Sequence, residues 1–406
     1  MLTVGDFARE TGAQASGSPL PREARFSPST DSRTVAPGQI FVCLRGPHFD
    51  GHDHIAAALE AGAIAVVADD RTKLSRAPDC AAMLVGDAKL AYLRGAAAVR
   101  RAWSGLVIGV TGSVGKTTTK EMCARLLATR LRVLATPRNE NNELGVAKAC
   151  YALGAHVDVA VIEMGARAPG EIAQLVDIAS PDIGVLTGVA EAHLEFFTDR
   201  EQLARTKFAL FGKGARAVLS AADEWSRTLA AQAGIAKSAL WVRLCGDPAA
   251  DGLTLEAGEP RDGRVPLTLG ASHAYAPWSL PGEHHLRDAL LAGGAAVLAG
   301  LTLADIVAAF GDLRLPEGRF EQHRAASGAI VVYDAYNASP ASMTQTLRAF
   351  SQIPAARRIA VLGSMAELGP DAGAQHEAIG VAAARAGLVL LYCGGPFATS
   401  LAAGAR

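Results

Sequence analysis

Neither sign of charge dominates this 406-residue chain: 39 lysines and arginines face 40 aspartates and glutamates, a net charge of -1. That balance offers no general attraction to nucleic acid or an anionic membrane, and a small-molecule partner fits better. Cysteine shows no pairing pattern either. Cys43, Cys80, Cys123, Cys150, Cys245 and Cys393 form no C-x-x-C pair and no partner-like spacing, which fits a reduced, cytoplasmic protein. No long apolar run opens the chain: MLTVGDFARETGAQ carries Asp6 and Glu10, so no signal peptide is expected. The most lipid-like segment, Ala289 to Ala304, is too short and glycine-rich for a membrane span and reads as a buried helix pair or helix-loop. No internal repeat at periods of ~20–50 residues and no low-complexity tract interrupts the chain.

Apolar residues are plentiful, at 50% against 19% charged, as in a well-buried globular protein, and the length favours two or three domains. Residues 1–84 read as a small α/β unit, with short apolar runs (IFVCL, AIAVV) flanking an alanine-rich helical pattern. From 85 to 314, strand-like runs (LVIGV, VDVAVIEMG, DIGVLTGV) alternate with helical ones, the pattern of a parallel α/β domain. A third region, 315–406, carries the runs AIVVYDAY and RIAVLGS.

One stretch, GVTGSVGKTTTK at 109–120, ends like a P-loop, yet G-x-x-x-x-G-K-[ST] needs its first glycine at Val110, and Gly109 stands one place too early. Its context is nevertheless strand, glycine-rich turn, amphipathic helix. Backbone N–H groups of Gly112, Ser113, Val114, Gly115, Thr117 and Thr118 would face phosphates, Lys116 would reach the terminal ones, and the Thr117 hydroxyl would hold Mg2+. The alternative is a chance glycine turn before a helix.

The form GxTGSxGKTT resembles the Mur ligases, ATP-dependent amide-forming enzymes of peptidoglycan precursor synthesis, and the resemblance covers nearly the whole chain. TDSRTVAPGQIFVCLRGPHFDGHDHI is similar to the family's uridine-nucleotide-binding domain and TPRNENNELGV to its substrate loop; VIEMGARAPGEIAQL, AEAHLEFF, GRFE and DAYNASPASM follow in family order. YNASP is the most specific, because other peptide-adding members carry a histidine-containing version. The resemblance implies three α/β domains: 1–84 for the UDP-sugar, a central ATP-binding P-loop domain at 85–314 with a parallel sheet, and a Rossmann-like ligase domain at 315–406. It implies ATP and Mg2+ as cofactors, UDP-N-acetylmuramoyl-tripeptide and D-alanyl-D-alanine as substrates joined through an acyl phosphate, and a monomer.

It also implies site residues. Glu163 ends the apolar run VDVAVI, where a parallel strand delivers side chains to a ligand crevice; the family implies Mg2+ ligation there, and a carboxylate capping the next turn is the alternative. His193 is implied to ligate a second Mg2+, against the ordinary reading of a lone histidine as structural. Lys207, in LARTKFALF, falls where the family has a CO2-carbamoylated lysine bridging to metal; the alternative is a surface lysine. The acid the family has two residues later is Ala209 here. Arg319 toward phosphate and Asp334 toward ribose hydroxyls suit a cationic fork and a two-oxygen acceptor, unless they form a local salt bridge. Tyr336 and Asn337 would shape the interdomain crevice, Asn139, Asn141 and Asn142 lie in the substrate loop, and Asp31, Ser32 and Arg33 resemble the uridine-diphosphate-sugar site, with Arg33 toward the diphosphate; as a bare D-S-R turn they would mean little.

Three departures stand out. GEHHLRDALLA places His285 and Asp288 where the family has asparagines, and an ionised aspartate only accepts from adenine N6 where asparagine pairs with N6 and N7. Ser364 replaces a family aspartate, and the chain stops several dozen residues early, so either a truncated third domain or a divergent, weakened homologue is expected. Two other classes stay open: a P-loop motor or small-molecule kinase, and a catalytically idle nucleotide-binding paralogue; within the ligases, another amino acid as substrate is the alternative.

Overall fold

The computed structural model describes residues 2–75, 77, 79–190 and 196–406. They form two units: Met1–Gly105 with Glu140–Val157 and Asp177–Ser180, and Leu106–Asn139 with Asp158–Val176 and Pro181–Arg406. In the first, a five-stranded sheet runs in the order Gln14–Gly17, Ala81–Leu84, Ala65–Ala68, Ile40–Val42, Pro28–Ser29, parallel except at its first pair. Phe7 stacks on Phe26 at 3.8 Å between centroids, and the Tyr151 hydroxyl donates to the Tyr92 carbonyl at 2.7 Å, so the buried phenol is satisfied.

A nine-stranded sheet builds the second unit. Its order is Ser272–Pro277, Arg264–Leu269, Leu253–Ala257, Leu240–Leu244, Arg216–Ser220, Ile183–Leu186, Leu106–Thr111, Val159–Glu163, Val133–Ala135. It is parallel except that Arg264–Leu269 runs antiparallel to both of its neighbours, Leu253–Ala257 and Ser272–Pro277. Apolar runs without alternation make strands buried on both faces: every residue of Val159–Glu163 and Ile183–Leu186 is buried. The segment read as a buried helix pair is one, Glu283–Leu298 followed by Leu303–Phe310, whose start is fixed by a capping box between Thr302 and Asp305. Gly294 lets the first helix close on the sheet, since a Cβ there would stand 2.7 Å from Leu240 and 2.8 Å from Val218. Leu286, Leu290 and Leu291 are buried on that face, each side chain stabilising the unit by about 1.5–3 kcal/mol.

Beyond it come the antiparallel pair Glu321–Arg324 and Ile330–Tyr333, the helix Pro340–Gln352, and the parallel pair Ile359–Leu362 and Leu390–Cys393 with helices Ala372–Arg385 and Ala398–Ala405. Ser339 caps the first of these helices, with Pro340 at its first turn. Leu347, Met365, Leu368, Ile379, Ala383 and Leu401 form a small core. The apolar runs at 330–333 and 359–362 are strands, as their composition implies, yet Ile330, Val331, Tyr333, Ile359 and Val361 remain exposed: no described element covers them fully. Among the described residues no helix is long and apolar enough to cross a membrane.

The early glycine has a packing reason. Gly109 lies inside the strand Leu106–Thr111, and a Cβ there would stand 2.9 Å from Leu210, 3.2 Å from Pro181 and 3.3 Å from Met164. Gly109→Ala is therefore expected to lower stability by about 1–3 kcal/mol through overpacking. Thermal melting should show the loss, while nucleotide affinity of the folded protein stays unchanged.

Candidate functional site

The strand Leu106–Thr111 ends with the Thr111 hydroxyl donating to the Met164 carbonyl at 2.7 Å, and the chain then turns into the helix Lys116–Leu127. Two glycines make the turn. Gly112 has φ 150° and Gly115 φ 85°, conformations that side chains resist. Space excludes them too: a Cβ at Gly112 would lie 1.9 Å from Thr187 Oγ1, and one at Gly115 2.5 Å from Asp288 Oδ1. The Ser113 N–H donates to the Gly188 carbonyl at 2.9 Å and its hydroxyl to Ala190 at 2.9 Å, which ties the turn to the segment after Ile183–Leu186. Among the described residues no side chain caps the helix at Gly115, so its first N–H groups and the positive end of its dipole form an anion-binding terminus.

Lys116 Nζ donates to the Gly112 and Ser113 carbonyls at 2.8 and 3.1 Å. Burial holds its ammonium below the ordinary lysine value, Glu163 pulls it up and Arg319 pushes it down, so these three charges share one neighbourhood. Glu163 closes the strand Val159–Glu163, 1% exposed, its N–H donating to Thr136 Oγ1 at 3.0 Å. Lys207, on the helix Arg200–Phe208, is 1% exposed and not a surface lysine. Burial first, and the Lys116 charge second, hold its amine well below the ordinary value.

From the third region, Arg319 lays its guanidinium over the Tyr336 ring at 4.3 Å, a cation–π contact. Its buried Nε has no hydrogen-bond partner among the described residues. Asp334 accepts from the Phe320 N–H at 3.1 Å and from the Thr346 hydroxyl; it does not pair with Arg319 as a local salt bridge. Asp288 and Thr118 are buried, and with Val114, Gly115, Arg319 and Asp334 they line one cleft of about 260 Å³. His285, also buried and lining it, donates from Nδ1 to the Pro281 carbonyl, and burial holds it below the ordinary histidine value. The cleft thus pairs a cationic phosphate-type turn with carboxylate and arginine from a second region, a set able to hold a polyanion carrying a hydroxylated, flat group.

Other predicted positions stand apart. Arg33 donates to Asp31 twice through its guanidinium, at 2.9 and 2.7 Å, and its hydrogen bonds hold the Asp31 carboxyl down at about 2; Ser32 beside them is half-buried. Asn142 caps the helix Glu143–Tyr151 by accepting from the Gly145 N–H at 3.0 Å, Asn139 is exposed, and Asn141 is half-buried. Thr117 is half-buried in the first helical turn, and Asn337 is exposed after Tyr336. His193 lies outside the described residues. Ser364 lies against Gly395, its hydroxyl 3.4 Å from the Phe397 nitrogen.

Two contributors were not anticipated. Lys120 is fully buried, its ammonium donating to the Thr136 and Arg138 carbonyls at 2.6 and 3.0 Å, so it holds the strand end that also supports Glu163. Its signal was the spacing, one turn beyond Lys116 on the same helix face. Asp223 lines the cleft and accepts from the Val189 N–H at 3.1 Å while capping the helix Glu224–Gln232; an aspartate before a helical run reads only as a cap.

Three family models match the chain: "Mur ligase family, catalytic domain" over residues 29–101, "Mur ligase middle domain" over 110–296, and "Mur ligase, glutamate ligase domain" over 318–406. A UDP-N-acetylmuramoyl-tripeptide--D-alanyl-D-alanine ligase of Synechocystis is 34% identical, over 93% of this chain and 81% of that protein. One from Escherichia coli is 33% identical, over 89% and 79%. Among solved structures, MurF from Acinetobacter baumannii superposes with a TM-score of 0.86 at 26% identity, covering 99% of this chain and 87% of that one. The MurF ligase of Thermotoga maritima in complex with ADP gives 0.73 at 28% identity, covering 93% and 86%. A phosphate-type turn, a second region closing its cleft, and matches that run from residue 29 to residue 406 place this chain in the Mur ligase family.

Proposed function

We propose that the chain is an ATP-dependent ligase that joins D-alanyl-D-alanine to UDP-N-acetylmuramoyl-tripeptide, giving the pentapeptide precursor of peptidoglycan, ADP and phosphate. The observation that carries this reading is one cleft lined by Val114, Gly115 and Thr118 of the turn together with Arg319 and Asp334, with Lys116 in the field of Glu163 and Arg319, and Lys207 in that of Lys116; relatives of that name at 34% and 33% identity support the substrate pair. The substrate carboxylate attacks the γ-phosphorus of ATP, ADP leaves, and the acyl phosphate is attacked by the dipeptide amine. The amine loses its proton, and the tetrahedral intermediate collapses by expelling phosphate. The protein aligns and neutralises here, since no step needs a nucleophilic side chain.

In this reading the N–H groups of residues 112–118 cradle the phosphates, Lys116 turns from its two carbonyls to the terminal phosphoryl, and Arg319, steadied on Tyr336, meets phosphate from the other side. Asp334 receives the ribose hydroxyls. Thr117 and Glu163 offer the hard oxygen donors that suit Mg2+, which binds through one or two carboxylates plus substrate phosphates. Mg2+ bound there would offset the charge of the phosphoryl oxygens. His193 is assigned to a second ion by resemblance. The desolvated Lys207 amine is poised to add CO2 with loss of a proton, turning a buried amine into an oxygen ligand.

Residues 1–84, with Asp31, Ser32 and Arg33, receive the UDP-sugar, 85–314 the ATP, and 315–406 complete the ligase site; Asn139, Asn141, Asn142 and Asn337 serve the peptide substrate. The protein is proposed to act as a monomer. The substrates are cytoplasmic metabolites, and the same location is proposed for the protein.

Protein given ATP, Mg2+, UDP-N-acetylmuramoyl-tripeptide and D-alanyl-D-alanine should yield pentapeptide, ADP and phosphate in equal amounts by mass spectrometry. Addition of one amino acid, or nucleotide bound without product, contradicts the assignment. Lys207→Ala should be inactive and regain part of its activity with short carboxylates such as acetate; an unimpaired variant would show that Lys207 only fills space.

A further inference from the structure

Asp288 sits on the helix Glu283–Leu298, 8% exposed, wedged against the Gly115 backbone of the phosphate turn. Its Oδ1 accepts from the Thr119 hydroxyl at 3.2 Å, and no ion pair reaches it among the described residues. Neighbouring cations are committed elsewhere. Arg287 on the same helix donates to Asp247 at 3.1 Å, Ser220 at 3.2 Å and Glu283 at 3.3 Å. Arg319 lies over Tyr336, Lys116 points to the Gly112 and Ser113 carbonyls, and Lys120 to Thr136 and Arg138. His284 and His285 are held below the ordinary histidine value by burial and stay neutral near pH 7. Asp223 and Asp334, the other carboxylates of the cleft, bring no positive charge. An ionised carboxylate so placed would be buried without a counter-ion, beside the backbone that is to receive phosphates.

We propose that Asp288 works as an un-ionised carboxylic acid that braces the phosphate turn at Gly115, and that nucleotide affinity falls when it loses its proton. A neutral acid offers a donor beside an acceptor, as does the amide of the asparagine that the family resemblance leads one to expect at this position; only the ionised form is confined to accepting. Burial raises the carboxyl to about 8, outweighing the Thr119 hydrogen bond and the charges of Arg287 and Arg319, all of which favour ionisation. The group therefore keeps its proton below about pH 8 and gives it up above.

This inference rests on the nucleotide-binding part of the function proposed above. Its test is isothermal titration calorimetry of the full chain with MgADP at pH 7 and pH 9, comparing the unaltered protein with Asp288→Asn. The amide cannot ionise, so the ratio of the two dissociation constants should move from near one at pH 7 to about ten at pH 9, following the neutral fraction. Any loss of the Lys116 charge affects both proteins and cancels in the ratio. At pH 9 the unaltered protein should also take up about one proton more on binding than Asp288→Asn, read from titrations in buffers of different ionisation enthalpy. Thr119→Val, which removes a donor favouring the ionised form, should shift the affinity loss to higher pH. A ratio equal at both pH values, no extra proton uptake, or an unshifted profile in Thr119→Val overturns the proposal. The pH-dependent ratio in a protein that forms no pentapeptide upholds it and removes the reaction alone; absence of MgADP binding at pH 7 overturns both.

Discussion

Space at the end of the strand Leu106–Thr111 is the constraint on which the rest of the site depends. Gly112 and Gly115 take backbone conformations that side chains resist, and each lies against a neighbour, Thr187 on one side and Asp288 on the other, that leaves no room for a Cβ. Because the turn is this tight, the helix Lys116–Leu127 starts with its N–H groups uncapped and pointing where the parallel strands end. Everything charged in the cleft is arranged around that opening.

The assembled charges are costly to the folded state. Lys116 and Lys207 are both held below the ordinary lysine value by burial, and each lies in the other's field or in that of Arg319. Such an arrangement suits a ligand that brings its own negative charge, since a polyphosphate offsets the repulsion that the protein alone does not. It also explains the device at Asp288, where an acid that keeps its proton fills space without adding a negative charge beside the cradle. The same burial that lowers the lysines raises the acid, so one cause prepares both sides of the turn.

Much of this was legible in the chain because the signals are local. The apolar run, glycines and amphipathic stretch at 106–127 specify strand, turn and helix without outside help, and Glu163 sits at a strand end because VAVIE is uninterrupted. The displaced glycine misleads only if motif spacing is read as chemistry; Gly109 answers to Leu210, Pro181 and Met164, residues distant in sequence. Lys207 stands in a helix with no apolar period to mark its burial, so its solvation is decided by what packs over it. The protonation of Asp288 depends on where Arg287 and Arg319 point, which is a tertiary fact. Composition likewise reads IVVY and IAVL as strands without saying which residues cover them, and Val361 is 79% exposed.

The central claim is that the turn at 112–118 holds the phosphates of ATP and that the charged groups around it close on them. A crystal structure of the chain with Mg2+ and a non-hydrolysable ATP analogue tests it most directly. The account predicts the β- and γ-phosphates against the N–H groups of residues 113–118, Lys116 Nζ withdrawn from the Gly112 and Ser113 carbonyls onto phosphate oxygen, and Arg319 still over Tyr336. Phosphates bound away from this turn, or Lys116 still on its two carbonyls with the nucleotide in place, would contradict it.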